Sequence, residues 1–152
     1  LLEEEAVRRA LLEMARSLAP GGVLYFDMVT ERMVTEHFAG QRWEEDNGGF
    51  VSNWSSQYDR KSACTETKVR INSGNESVLR ERIYPQRLFE SALRDAGLTL
   101  LGVFDAEGWA GPRRTTTRVD FVAVKQPARG VNREFKRVRD AVRSMLREDA
   151  RK

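Results

Sequence analysis

The sequence predicts an α/β fold, a helix-covered sheet interrupted by an antiparallel insertion, and three observations predict it. Residues 3–17 repeat apolar side chains at helical spacing. Residues 18–27, Leu-Ala-Pro-Gly-Gly-Val-Leu-Tyr-Phe-Asp, pass through a Pro-Gly-Gly break into a short apolar run that ends in a lone carboxylate. That is the pattern of an interior strand of a parallel sheet, dry on both faces and polar at the carboxyl end, where ligands bind. Residues 50–84 hold three segments rich in β-branched and aromatic residues, the pattern of an antiparallel meander.

In the first segment Val7, Leu11, Met14 and Leu18 form one helical stripe, with Arg8, Arg9, Glu13 and Arg16 mostly outside it. Pro20-Gly21-Gly22 stops that helix and turns the chain into a strand at 23–26. Residues 30–39 predict a short helix with Met33, Val34 and Phe38 inward; Gly40 and then Asn47-Gly48-Gly49 break the pattern. The strands expected at 50–58, 64–71 and 78–84 are separated by Asp59-Arg60-Lys61-Ser62 and Asn72-Ser73-Gly74-Asn75. Thr65, Thr67, Val69 and Ile71 alternate with polar neighbours, so one face of the meander is covered and the other is wet.

Pro85 suits the first position of a helix in which Leu88, Phe89, Ala92, Leu93 and Ala96 keep helical spacing until Gly97. Residues 98–104 form a second apolar strand followed by Asp105, and a loop at 107–114 leads to a third strand at 118–125. No helix lies between these two strands, so they are expected to pair as an antiparallel hairpin with a long loop. Residues 126–130 read as a linker, and Val131, Phe135, Val138, Val142 and Met145 mark an amphipathic helix with a basic outer face over 131–152.

A chain of 152 residues with 40% hydrophobic and 32% charged residues has the size and composition of one soluble domain with a sizeable core. No apolar run approaches the roughly 20 residues needed to cross a bilayer, so no membrane partner is expected. Cys64 is the single cysteine; it has no disulfide partner and no zinc-ligand neighbours, which points to the cytoplasm and to no metal site. The net charge of +3 is concentrated in residues 126–152, which hold nine Lys/Arg against four Asp/Glu, so nucleic acid is not expected as a partner of the body. The chain opens on Leu1 directly in helical periodicity, and a preceding segment is therefore expected.

The order helix, L-x-PGG turn, apolar strand ending in Asp, antiparallel insertion, helix ending in Ala-Gly, apolar strand, loop and closing strand resembles the C-terminal, substrate-side half of class I S-adenosylmethionine-dependent methyltransferases. The residues that carry the resemblance are Leu18-Ala19-Pro20-Gly21-Gly22 with the run to Asp27, Glu81-Arg82-Ile83-Tyr84, Leu93-Arg94-Asp95-Ala96-Gly97-Leu98, and Arg118-Val119-Asp120-Phe121-Val122-Ala123-Val124-Lys125. The resemblance implies a partial Rossmann-like methyltransferase sheet, its last three strands with a terminal antiparallel strand, plus an antiparallel β-meander insertion at 50–84 and a C-terminal helix. Residues 1–125 would be the C-terminal part of the methyltransferase domain. It further implies S-adenosylmethionine as cofactor and in-line methyl transfer to a small-molecule acceptor, in which positioning supplies most of the rate.

The family's glycine-rich loop and its acidic cofactor ligand have no counterpart in this sequence, so no cofactor-binding residue is assigned here. The neighbours that would cover one edge of the strand at 23–26 are missing as well. That open edge is expected to meet a second chain or a missing N-terminal half. A non-catalytic oligomerisation or regulatory module, built on the same edge and the tail helix, is the alternative.

Each candidate site residue carries two readings. Asp27 sits where substrate-contacting residues of such a sheet lie, or caps a turn; Tyr25 shares the ambiguity with core packing. Trp43, Trp54 and Tyr58 line a pocket for a planar or apolar substrate, or cover the sheet. Arg80, Arg82 and Tyr84 share a strand face by alternation, so Arg82 with Tyr84 grips an anionic group, or the face is solvated and salt-bridged. His37, the one imidazole, is the candidate general base, against a surface histidine with nothing to orient it. Trp109, beside Arg113 and Arg114 in a glycine-bounded loop, closes over a substrate or anchors the loop.

Overall fold

The computed structural model describes residues 3–126 and, beyond them, residues 136, 137, 140, 141 and 144. The linker expected at 126–130, after Gln126, and the helix expected at 131–152 lie outside the described residues apart from those five positions. In chain order the elements are α1 (Glu4–Ser17), β1 (Val23–Val29), α2 (Glu31–Met33) running into a π-type turn (Val34–Phe38), β2 (Arg42–Asp46), β3 (Val51–Asp59), β4 (Cys64–Ile71), β5 (Glu76–Arg82), α3 (Gln86–Asp95), β6 (Leu98–Asp105) and β7 (Arg118–Lys125). They divide into two compact units, residues 29–84 and the segments on either side of them.

The flanking segments build a three-stranded sheet in the order β1-β7-β6. β7 is antiparallel to β6, as the absence of an intervening helix predicts, and the register runs from Leu98 opposite Lys125 to Asp105 opposite Val119. It is antiparallel to β1 too. The start of β1 bonds to the end of β7 through Gly21 N donating to Lys125 O, and Asp27 near the end of β1 pairs with Arg118 at the start of β7. On one face Phe26 stacks on Phe121 at 4.9 Å and meets Phe89 of α3 at 5.8 Å with the rings tilted by 45°. Phe104 and Phe121 are fully buried, each contributing on the order of 2–3 kcal/mol of transfer free energy.

Gly102 sits at a bulge in β6, where a Cβ would meet the Phe104 ring at 2.6 Å. Glycine there lets that ring enter the core. Helix α3 stops at Gly97, whose φ of +77° suits a residue without a Cβ, and Pro85 stands just before the first helical residue rather than at it.

Two expectations change in this unit. Val7, Leu11 and Ala15 make the buried row of α1, whereas Met14 is 49% exposed. The row is centred on Leu11, and at 3.6 residues per turn Met14 lies about 60° round from it. Strand β1 is not dry on both faces. Leu24 and Phe26 are half-buried, but Val23 and Tyr25 are 45% and 55% exposed. The strand ends the sheet among the described residues, and its aromatic packing against α3 covers only the Phe26 face.

Residues 29–84 build a four-stranded antiparallel sheet, β2-β3-β4-β5. The three expected strands are present, with β5 shifted to Glu76–Arg82. Strand β2 has no signature in the sequence, because Arg-Trp-Glu-Glu-Asp has one apolar residue and so shows no alternation. The helix expected at 30–39 is present over 31–38 but changes its winding at Val34. Thr30 Oγ1 caps Met33 N, and the chain then widens so that Ala39 N donates to Val34 O, five residues back. Ile71, expected on the covered face, is 52% exposed at the strand end.

Candidate functional site

Two side-chain constellations carry chemistry, one in each unit. In the four-stranded sheet Trp43 and Trp54 stand directly opposite across β2 and β3, their rings 5.5 Å apart and 6° from parallel. Phe38, from the π-type turn, meets Trp43 edge-on at 6.0 Å. The indole N–H groups are held within the sheet, Trp43 Nε1 donating to Glu45 and Trp54 Nε1 to Ser52 Oγ. Strand alternation puts Trp54, Ser56, Thr65, Thr67 and Leu79 on the same face, and with Val34 they enclose an apolar cavity of about 220 Å³. Ser56 and Thr67, almost fully buried, share a hydrogen bond of 3.0 Å in its wall.

The opposite face of this sheet holds a larger open depression of about 620 Å³ among Arg42, Asn53, Lys68, Arg70 and Glu76. Two of its cations, Lys68 and Arg70, pair with Glu76, and the side chains are exposed. It reads as a solvated face. Trp43 and Trp54 border both, and the smaller cavity, more closed and mostly apolar in its lining, is the better ligand site.

Tyr58 does not join the two tryptophans in this cavity. It lines an open depression of about 460 Å³ with Cys64, Arg80 and Arg82, where Arg80 pairs with Glu66. Its hydroxyl donates to Glu31 Oε1 at 3.1 Å, and burial together with that carboxylate pushes its pKa up to about 12. The expectation that Arg80, Arg82 and Tyr84 share a strand face holds only for the two arginines: β5 ends at Arg82, so alternation does not carry to Tyr84. His37 is exposed on the π-type turn and is not among the residues that line the aromatic cavity.

In the other unit Tyr25, Asp27, Arg118 and Asp120 share the face opposite the phenylalanine core. Asp27 forms an ion pair with Arg118 at 3.1 Å, both half-exposed. Asp120 is 3% exposed, and its carboxylate accepts a hydrogen bond from the Tyr25 hydroxyl, which is held above the usual phenol range. Trp109 stacks on Phe104 at 5.0 Å and lies 6.5 Å from Tyr25 with the rings 5° from parallel. Its backbone has a φ of +53°, a conformation costly for a bulky residue. These contacts anchor the loop. Asp105 anchors it from below, accepting from Glu107 N, Gly108 N and Thr116 Oγ1.

The sequence missed the partners rather than the aromatics. Asp120 looked like one more residue of a closing strand, and Ser56 and Thr67 carry no motif. The available signal for Ser56 was its spacing of two from Trp54, which puts it on the aromatic face.

No protein family profile matches the chain, and no curated protein matches it. Solved structures do. An S-adenosylmethionine-dependent methyltransferase from Clostridium acetobutylicum matches with a TM-score of 0.67 at 16% identity, over 82% of this chain and 52% of that one. A methyltransferase from Streptomyces caelestis matches with a TM-score of 0.63 at 14% identity, over 84% of this chain and 56% of that one. An amino pentose methyltransferase of calicheamicin biosynthesis from Micromonospora echinaspora matches with a TM-score of 0.58 at 19% identity, over 83% and 53%. The chain thus has a class I S-adenosylmethionine-dependent methyltransferase-like fold over most of its length, and it spans about half the length of the structures it matches.

Among the described residues no glycine-rich loop joins the end of a strand to the start of a helix. Gly21 and Gly22 lead into a strand, and a Cβ on Gly22 would lie 2.9 Å from Ala19 O, so Gly22 serves the close turn after α1. Gly108 and Gly111 lie in the β6–β7 loop, which opens no helix. Among the described residues no three His, Cys, Asp or Glu side chains gather as metal ligands, and no helix is long and apolar enough to cross a membrane.

Proposed function

We propose that this chain supplies the substrate-side half of an enzyme that transfers a methyl group from S-adenosylmethionine to a small-molecule acceptor. The observation that carries the reading is the strand order β1-β7-β6 with an antiparallel β7 in the middle, in a fold shared with three methyltransferases. Because the described residues hold no glycine-rich strand-to-helix turn, we assign the cofactor to the half of the fold that these strands lack. The position of β1 at the end of the sheet among the described residues supports that assignment, since an unpaired strand edge calls for a neighbour. The aromatic cavity beside Trp43 and Trp54 is the acceptor site. Cys64, the single cysteine, fits the reducing cytoplasm as the compartment.

The test is the reading frame upstream of Leu1. A glycine-rich strand-to-helix turn is expected there, and the joined polypeptide is expected to release S-adenosylhomocysteine in the presence of acceptor. A frame without that turn, or a joined polypeptide without turnover on a broad acceptor panel, would overturn the reading. The open β1 edge also favours a second reading, a non-catalytic association module. A strictly monomeric chain in light scattering counts against that one.

A further inference from the structure

The cavity beside the tryptophan pair has a size, a wall and two polar ends, and together they select a ligand. Its volume is about 220 Å³. An apolar cavity of roughly 150 Å³ engineered into another protein admits benzene, so this one accommodates a single six-membered ring with a short substituent and no second ring. The wall is made of Val29, Val34, Trp43, Trp54 and Leu79. A polyol ring would leave several hydroxyl groups unpaired against these side chains, at a cost for each, whereas an apolar ring loses nothing there.

At the inner end stand Ser56 and Thr67, 1% and 9% exposed. They hold two hydroxyl protons between them, and their mutual bond uses one. The second proton belongs to a buried donor in the cavity wall, which asks for an acceptor from whatever fills the space. At the other end Glu81 lines the cavity while remaining exposed to solvent, so its carboxylate marks the mouth. A cation there meets an opposite charge without leaving water completely.

We propose that the cavity binds one apolar six-membered ring that carries a hydrogen-bond acceptor at its inner end and an amine at its mouth. That this ring belongs to the methyl acceptor rests on the function proposed above. The binding site itself does not. Tyramine has both features: the phenol oxygen reaches Ser56 and Thr67, the ring lies along the tryptophan wall, and the ammonium group meets Glu81.

The probe is therefore tyramine, titrated into the full chain while the indole N–H resonances are followed by NMR. Saturable shifts of the Trp43 and Trp54 signals are expected, with a dissociation constant of about 0.1–1 mM for a fragment of this size. Leu79→Phe, at a rim position that tolerates bulk, should fill the space and weaken binding at least about tenfold. Glu81→Gln should weaken it severalfold, and less so in high salt. Glucosamine, an amine-bearing polyol, should give no saturable shift. Absence of saturation by about 10 mM tyramine, equal shifts with glucosamine, or binding unchanged in Leu79→Phe would each overturn the proposal. Binding is read without methyl transfer, so the two readings fail separately. Methyl transfer without tyramine binding sinks the site alone, and tyramine binding without methyl transfer sinks the enzyme alone.

Discussion

Trp43 and Trp54 face each other across β2 and β3 at directly opposed positions, with ring centroids 5.5 Å apart and planes 6° from parallel. The pair fixes a strand that the sequence barely announces, since β2 is otherwise made of charged residues. It also supplies the wall of the candidate ligand cavity. A double-mutant cycle with Trp43→Leu and Trp54→Leu in urea unfolding should give a coupling energy of about 1 kcal/mol. Additive effects would mean that the two rings contribute separately.

Lys125 closes α1. Its Nζ donates to Ala15 O and Leu18 O at 2.8 Å each and to Arg16 O at 3.3 Å, which satisfies carbonyls that the helix itself leaves open. Lys125→Met keeps the aliphatic stem and removes these charge-assisted bonds. We expect a loss of about 1–2 kcal/mol in urea unfolding, and Lys125→Arg should restore part of it.

The Tyr58 hydroxyl should titrate late. Burial and the bond to Glu31 push its pKa up to about 12, from an ordinary value of 10.0. A group whose folded pKa is raised binds its proton more tightly when folded. Its contribution to stability is therefore complete below about pH 10 and is lost as the pH rises through about 12. Absorbance at the phenolate band should show a component titrating near pH 12 that Tyr58→Phe removes, together with the corresponding fall in stability.

Asp105 behaves in the opposite sense. Its bonds from Thr116, Glu107 N and Gly108 N, with Arg113 nearby, hold its carboxyl below the usual range. The stabilisation is present above the unfolded carboxylate pKa of about 3.9 and is lost as the pH falls through the lower folded value. Asp105→Ala should release the loop that carries Trp109, seen as a red shift of its emission at neutral pH. Wild-type protein should show the same shift only in acid.

How much was readable from the sequence varied with the strength of the local pattern. The strand at 118–125 and the helix ending at Gly97 were legible because apolar periodicity and a chain-reversing glycine coincide there. Strand β2 and the π-type turn were not, since Arg42–Asp46 lacks alternation and the widened turn keeps an apolar spacing that an ordinary helix also shows. Among the site residues, Trp43 and Trp54 were visible as aromatics near a meander. Their pairing depended on a register that only β2 supplies. Nothing in the sequence marks where β5 stops, so the alternation that puts Tyr84 on a strand face runs past the end of the strand.

The measurement that bears most directly on the half-fold proposal is calorimetric titration of this 152-residue chain with S-adenosylmethionine. With no glycine-rich strand-to-helix turn to hold the cofactor, we expect no saturable heat at concentrations up to about 1 mM. One-to-one binding with a dissociation constant of about 10 μM or tighter would contradict it, because these residues would then hold the cofactor by themselves.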